Sequence, residues 1–364
     1  MFNKRPWRAY AVPCFISITA IAFGGFVGIA SRGDPGDPPT VHAAAGTTQI
    51  YTQDAGAAPG ASPTVSPTPK PLAPRLELRR PQAPPEAPPA PPTAVPRDVP
   101  PTPVPPAPTS LFETNQLIVY YGTPLAPGLG VLGTMSPQDL AQRLKEHARL
   151  YDDLNGDRKA VPTLDLIYGI VQSEPTGNGL YLSYLPDDRV EEYLRLAEEH
   201  GLQVILDLQI GRSTVAAEIA KIERFLLNPR VHVAIDPEYA VGPNGYPIHT
   251  SGVISGHDIN GAQLYLQELT EKHNLPPKML IVHQFMDGTI IEGEVTADLP
   301  NVDVVLNMDA FGDYPEKVKK YRHYMARPYA ERRSFNIFLK QDRPVGTEQD
   351  VLALDPMPDM VMYQ

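Results

Sequence analysis

Asp236 and Glu238 close the run Val231-His232-Val233-Ala234-Ile235-Asp236-Pro237-Glu238-Tyr239. The run alternates, with Val231, Val233 and Ile235 on one side and His232, Ala234, Asp236 and Glu238 on the other. Strand side chains repeat with period two, so the two acids share a face and stand about 7 Å apart. Two carboxyl groups at the carboxyl end of a strand suit acid/base chemistry on a glycosidic bond. Like-charge repulsion from Asp236 would keep Glu238 protonated near neutral pH, which makes Glu238 the candidate general acid. The bland role for the same pair is to cap the strand end, with Asp236 accepting backbone N–H bonds. The surrounding elements must decide between the two.

From Leu117 onward, short β-rich runs alternate with helical patterns. The strand candidates are Leu117–Gly122, Val161–Tyr168, Gln203–Ile210, Val231–Glu238, Lys278–Phe285, Val302–Asp309, Phe335–Lys340 and Asp359–Tyr363. Between them, Ser136-Pro137 offers a helix N-cap with proline in the first turn. Asp187 or Asp188 opens a helix that ends at Gly201, a C-cap residue. Thr214–Leu227, His257–His273 and Tyr314 to Met325 complete the helical patterns. Eight strands alternating with helices predict an α/β fold, a (β/α)8 TIM barrel over residues 111–364. No helical pattern follows the eighth strand candidate in this sequence, which puts the last residues at the barrel's functional rim.

In such a barrel the site forms at the carboxyl ends of the strands, from inward side chains. Reading each strand for its polar track gives Tyr121, Asp165, Asp207 and Gln209, then Asp236, Glu238 and Tyr239. The later strands add His283, Gln284, Asn307, Asp309 and Lys340. Burying that many polar groups is costly unless they are paired, so their convergence points to a ligand site. Asp236 and Glu238 are the catalytic candidates and the others are candidate substrate contacts. Asp207 or Asp309 is also eligible as a second catalytic carboxylate, and Lys340 as a neutralising charge. His232 lies low on its strand and reads as structural.

With these residues in place, the sequence resembles the family 18 glycoside hydrolases, the chitinase-like barrels. Ile235-Asp236-Pro237-Glu238-Tyr239 looks like the end of that family's fourth-strand motif, Asp-x-x-Asp-x-Asp-x-Glu. Val204 to Gly211 stands where the family has its third-strand signature, and Asn307-Met308-Asp309 where it has Met-x-Tyr-Asp. Tyr120-Tyr121-Gly122 resembles the first-strand ending. Ala234 and Val231 replace the motif's earlier aspartates, and Met308 replaces the tyrosine. The resemblance implies a glycosidase acting on a polysaccharide or peptidoglycan-type glycan, with Asp236 orienting an N-acetyl group. The departures leave open a non-catalytic carbohydrate-binding or envelope-scaffold barrel.

The rest of the chain bounds where and on what it works. Of its 43 prolines, 23 fall between Ser31 and Ser110. That composition cannot bury a core and predicts a disordered linker over 31–110. Before it, Lys4, Arg5 and Arg8 precede the uncharged run Ala9 to Ala30, long enough for a membrane-spanning helix with a cytoplasmic N-terminus. The expectation is a single-pass anchor over residues 1–30 with an extracytoplasmic barrel. A cleaved signal peptide, hence secretion, is the competitor. The net charge of −11, without basic clusters, predicts no nucleic-acid partner. No glycine-rich turn follows the first strand, so no nucleotide is expected. The histidines lack short ligand spacing, so neither a metal nor another cofactor is expected. The lone Cys14 leaves the barrel without a disulfide.

Overall fold

The computed structural model describes residues 109–364. The apolar run Ala9 to Ala30 and the proline-rich stretch, with the anchor and linker expected there, lie outside the described residues. Among the described residues, no helix is long and apolar enough to cross a membrane.

Eight parallel strands form the barrel: β1 Asn115–Gly122, β2 Lys159–Val171, β3 Gln203–Gly211, β4 Val231–Ala240, β5 Lys278–Gln284, β6 Val302–Met308, β7 Arg332–Ile337 and β8 Met360–Tyr363, with the short strand Leu182–Tyr184 added antiparallel to the end of β2. Each pairs with the next, and β8 pairs with β1 from Leu117↔Met360 to Tyr120↔Tyr363. That last pairing closes the barrel and removes both sheet edges.

Strand alternation builds two separate cores. Outward residues such as Val204, Leu206, Leu208, Val231, Val233 and Ile235 pack with helix residues Leu140, Leu144, Leu196, Ile219 and Leu266. Inward residues Leu117, Val119, Ile205, Ala234, Ile281, Val305, Met360 and Met362 fill the middle of the barrel. Each fully buried aliphatic side chain contributes about 1.5–3 kcal/mol relative to exposure. Below this plug, His232 is neutral and satisfied. Its Nδ1 accepts from Met279 N at 3.0 Å and its Nε2 donates to Gln203 Oε1 at 3.2 Å. Burial and the nearby Lys278 charge hold its pKa well below the usual range.

The helices start and stop where local chemistry dictates. Helix α1 (Pro137–Asp152) is capped by the Ser136 hydroxyl, and α2 (Asp187–His200) ends at Gly201 in the left-handed conformation. The stretch after β3 is two pieces, α3 (Val215–Lys221) and α4 (Glu223–Leu226), parted at Ile222. Helix α5 (Gly256–His273) begins with a Ser255/Asp258 capping box. Helix α6 is Tyr314–Met325 and α7, which no sequence pattern announced, is Glu348–Leu352. Between β5 and β6 the described residues contain a 3-10 turn, Gly293–Val295, and no α-helix. Three short strands, Leu182–Tyr184, Ile254–Ser255 and Ile290–Ile291, were also not foreseen.

One buried ion pair holds the β7 exit against α6. Lys317 Nζ meets Asp342 Oδ2 and also donates to Asn336 O at 2.7 Å. Asp342 accepts in addition from Phe338 N at 2.9 Å and Gly312 N at 3.0 Å. Asp342→Ala strands the Lys317 charge and is expected to cost about 3–5 kcal/mol in urea unfolding. A loss under about 1 kcal/mol would show that the pair is not anchoring this rim.

Candidate functional site

Above the apolar plug, the inward track turns polar on strand after strand. Asp165 comes from β2, Asp207 from β3, Asp236 and Glu238 from β4, and His283 from β5. Asp309 follows β6 directly. Asp165, Asp207, Asp236 and His283 are at most 2% exposed, Asp309 is 8% exposed, and Glu238 is partly exposed at the mouth.

His283 stands at the centre. Its Nδ1 lies 3.2 Å from Asp309 Oδ2, 3.6 Å from Asp236 Oδ1 and 3.1 Å from Asn307 Nδ2. Its Nε2 faces Asp207 Oδ2 at 3.6 Å and has no hydrogen-bond partner. Asn307 is held from behind, its Oδ1 accepting from Ser334 Oγ at 2.6 Å. Asn336 donates to Asp309 Oδ1. The Tyr121 ring packs 6.1 Å from the imidazole, centroid to centroid.

The two oxygens of Asp165 and of Asp207, and Oε2 of Glu238, are buried without a partner. Burial is the main cause that pushes Asp165 and Asp207 up to about 8, with other acids adding to it and His283 opposing. Asp236 is raised well above the carboxylate range by burial and then by Asp207, against His283. Glu238 is raised by burial, Asp236 and Asp309. Burial lowers the His283 pKa, but the charges of Asp236, Asp207 and Asp309 reverse that and leave it well above its usual value.

Two sets of three have the compactness of cation ligands: Asp165, Asp207 and His283, and Asp236, His283 and Asp309. In each, the ligand atoms lie within 4.8 Å of one another. The sequence expectation of no metal rested on spacing along the chain. These ligands come from separate strands and no local spacing displays them.

The end of β4 is shaped by its neighbours. The β3–β4 pairing runs to Gln209↔Asp236 and resumes at Gly211↔Ala240, so β4 carries extra residues at Pro237 to Tyr239. A bulge of this kind re-aims side chains beside active sites. The long loop after β4 folds back onto it, with Gly252 N donating to Glu238 O at 2.7 Å. A Cβ on Gly252 would lie 2.3 Å from Ala240 N, so this approach requires glycine.

Of the sequence-nominated residues, Gln284 and Lys340 fall elsewhere. Gln284 points outward with Leu280 and Val282, and its Oε1 accepts from Tyr329 OH at 3.3 Å. The parity of β5 places it on the face opposite His283. Lys340 lies beyond β7, which ends at Ile337, in an exposed turn. Gln209 stays at the site: its side chain hydrogen-bonds Asp236, while its Oε1 accepts from Val171 N at 2.9 Å. Tyr239 is partly exposed beside Asp236 and Glu238. Sequence reading missed Phe311, which is 48% exposed and packs between Phe285 and Phe338 at centroid distances of 6.0 and 5.5 Å. A single aromatic after a strand carries no signal until three strand ends are adjacent. A separate hollow of about 220 Å³, lined by Pro124, Leu132, Met135 and Tyr193, contains none of the clustered acids.

No family model matches the chain, and no curated protein matches it. Among solved structures, a hyperthermophilic endo-β-1,4-glucanase in complex with substrate is 11% identical, with 70% of this chain and 92% of that chain covered and a TM-score of 0.35. An oxaloacetate acetylhydrolase in complex with the inhibitor 3,3-difluorooxalacetate is 10% identical, with 70% and 77% covered and a TM-score of 0.28. Likeness at this level assigns no chemistry, and the barrel rests on its own strand pairing.

The raised acids fix a pH dependence. Between about pH 4 and pH 8 the folded chain keeps protons on Asp165 and Asp207 that the unfolded chain has released, so stability falls as pH rises. His283, raised in the folded state, contributes in the same direction as pH climbs past 6.5. In chelator-treated buffer the unfolding free energy is expected to decline across this window by at most about 1.4 kcal/mol per pH unit for each acid, read as a falling melting temperature. The Asp165→Asn, Asp207→Asn double variant should show a visibly shallower decline. An unchanged slope would contradict the assignment.

Proposed function

We propose that the chain is a hydrolase of glycans, with Glu238 as the general acid. The observation that carries this is the state of Glu238. It is the acid at the mouth, its Oε2 has no partner, and burial with Asp236 and Asp309 strengthens its hold on a proton. A carboxyl group kept protonated near neutral pH at the mouth of the barrel is what protonation of a leaving glycosidic oxygen requires.

Asp236 is 2% exposed, so its part is to raise Glu238 rather than to touch the sugar. Asp309, less buried and hydrogen-bonded to Asn336, is the second carboxylate within reach of the mouth. The Phe285, Phe311 and Phe338 group offers an apolar surface on which a pyranose face can stack. The family 18-like strand ending Asp236-Pro237-Glu238 supports an N-acetylated polysaccharide or peptidoglycan-type glycan as substrate. The N-terminal basic and apolar pattern supports a tethered, extracytoplasmic position for the barrel. Ala234 and Val231, at the places of the motif's earlier aspartates, favour the second reading: a barrel that binds glycan without cleaving it.

Glu238→Gln separates the two. For a hydrolase, release of reducing ends from peptidoglycan or chitin-type polymers should fall by about 10²–10⁴-fold, with glycan binding retained. Wild-type turnover should decline as pH rises through the Glu238 pKa, since the proton to be donated is then lost. Binding by the wild type with no sugar released at any pH would leave the glycan-binding barrel.

A further inference from the structure

Beneath the mouth lies a group of atoms that acid catalysis by Glu238 does not use. Asp165 on β2, Asp207 on β3 and His283 on β5 bring four carboxylate oxygens and one imidazole nitrogen together, all buried and all without a hydrogen-bond partner. Their ligand atoms lie within 4.8 Å of one another. Unpaired buried carboxylates are costly, and no lysine or arginine is among the groups that act on either acid. The opposite edge of His283 is fixed by Asp309 Oδ2 at 3.2 Å, so Nε2 is aimed at the acid pair. A carboxylate on one imidazole nitrogen and an open position on the other is the arrangement of a metal-ligating histidine with its outer support.

We propose that Asp165, Asp207 and His283 form a binding site for a divalent first-row cation, Zn²⁺ or Mn²⁺. One imidazole nitrogen with two carboxylates suits these ions, whereas Ca²⁺ takes six to eight oxygens and Mg²⁺ keeps much of its water shell. Ligand atoms set tetrahedrally at about 2.0 Å from zinc stand about 3.3 Å apart, and the His283 Nε2 to Asp207 Oδ2 distance is 3.6 Å. That pair needs to close by only a few tenths of an ångström, and every pair in the set already lies within 4.8 Å. The ion would replace protons as the balancing charge at the His283 imidazole, whose ring lies 6.1 Å from that of Tyr121. Binding is independent of the glycan reading, because it is measured with no substrate present.

The test uses the full chain, stripped with chelator and dialysed, with Zn²⁺ or Mn²⁺ alone as the probe. Equilibrium dialysis should give one saturable equivalent, and the melting temperature should rise as the ion is added. The Asp165→Asn, Asp207→Asn double variant should bind at least about 100-fold more weakly, and Asp309→Asn about 10-fold more weakly. The melting temperature of the ion-free double variant establishes that it folds. In bound Mn²⁺, electron spin-echo modulation from an imidazole nitrogen should be present in the wild type and absent in His283→Gln. His323, paired with Asp287 at 3.2 Å on the surface, is the control for adventitious uptake. The proposal is overturned if neither ion saturates, if the double variant binds as the wild type does, or if His323→Ala alone abolishes binding.

Discussion

The organising constraint is charge. Asp165 and Asp207 gather with the Nε2 edge of a single imidazole, Asp236 and Asp309 flank its Nδ1 edge, and Glu238 adds a fifth carboxyl group nearer the mouth, in a largely buried volume. At a low effective dielectric, like charges this close cannot all persist. Protons or a cation must balance them, and the properties of the barrel mouth follow from which one does. If protons balance the acids, Glu238 holds a transferable proton at the entrance. If a cation occupies the deeper set, the lower pair is neutralised while Glu238, two layers nearer solvent, keeps its role.

The barrel makes this arrangement possible by dividing labour along its axis. The lower interior is closed by a satisfied polar pair, His232 and Gln203, and the middle by Val119, Ile205, Ala234, Ile281, Val305 and Met362. Above this plug the orphaned carboxylate oxygens of Asp165, Asp207 and Glu238 and the Nε2 of His283 collect. The contrast matters, because a chain able to satisfy His232 at the bottom leaves Asp165 and Asp207 wholly unpaired at the top. The outer helices, packed on the opposite strand faces, supply the apolar burial that offsets the cost of such a cluster. The loop after β4 then fixes the mouth from above, through the Gly252 contact with the Glu238 carbonyl.

Much of this was legible because strand parity is a rigid rule. On β3 the alternation of Val204, Leu206 and Leu208 with Ile205, Asp207 and Gln209 separates helix face from interior. The same rule places Asp165, Asp236, Asn307 and Asp309. It was blunt on β5, where Leu280, Ile281 and Val282 are apolar on both faces, so Gln284 was counted with His283 although it points away. Lys340 was misplaced for another reason. Phe335 to Lys340 reads as one apolar strand, but the chain turns once the Asp342 carboxylate accepts from Phe338 N. Caps at Ser136 and Gly201 were visible because they are local; the bulge on β4, helix α7 and the Phe285, Phe311 and Phe338 group were not, since each depends on what a neighbouring strand does. The cation ligand set was invisible for the same reason.

With no cation bound, the clustered acids are not all ionised at neutral pH. Carbon-13 carboxyl NMR on the chain labelled at aspartate and glutamate, titrated after chelation, reads this directly. Resonances of Asp165, Asp207, Asp236 and Glu238 are expected to stay in the protonated position at pH 7, apart from the main group that titrates near pH 4, and those of Asp165 and Asp207 should move only near pH 8. A titration in which every carboxyl group ionises below about pH 5 would contradict the buried cluster on which both the acid catalyst and the cation site depend.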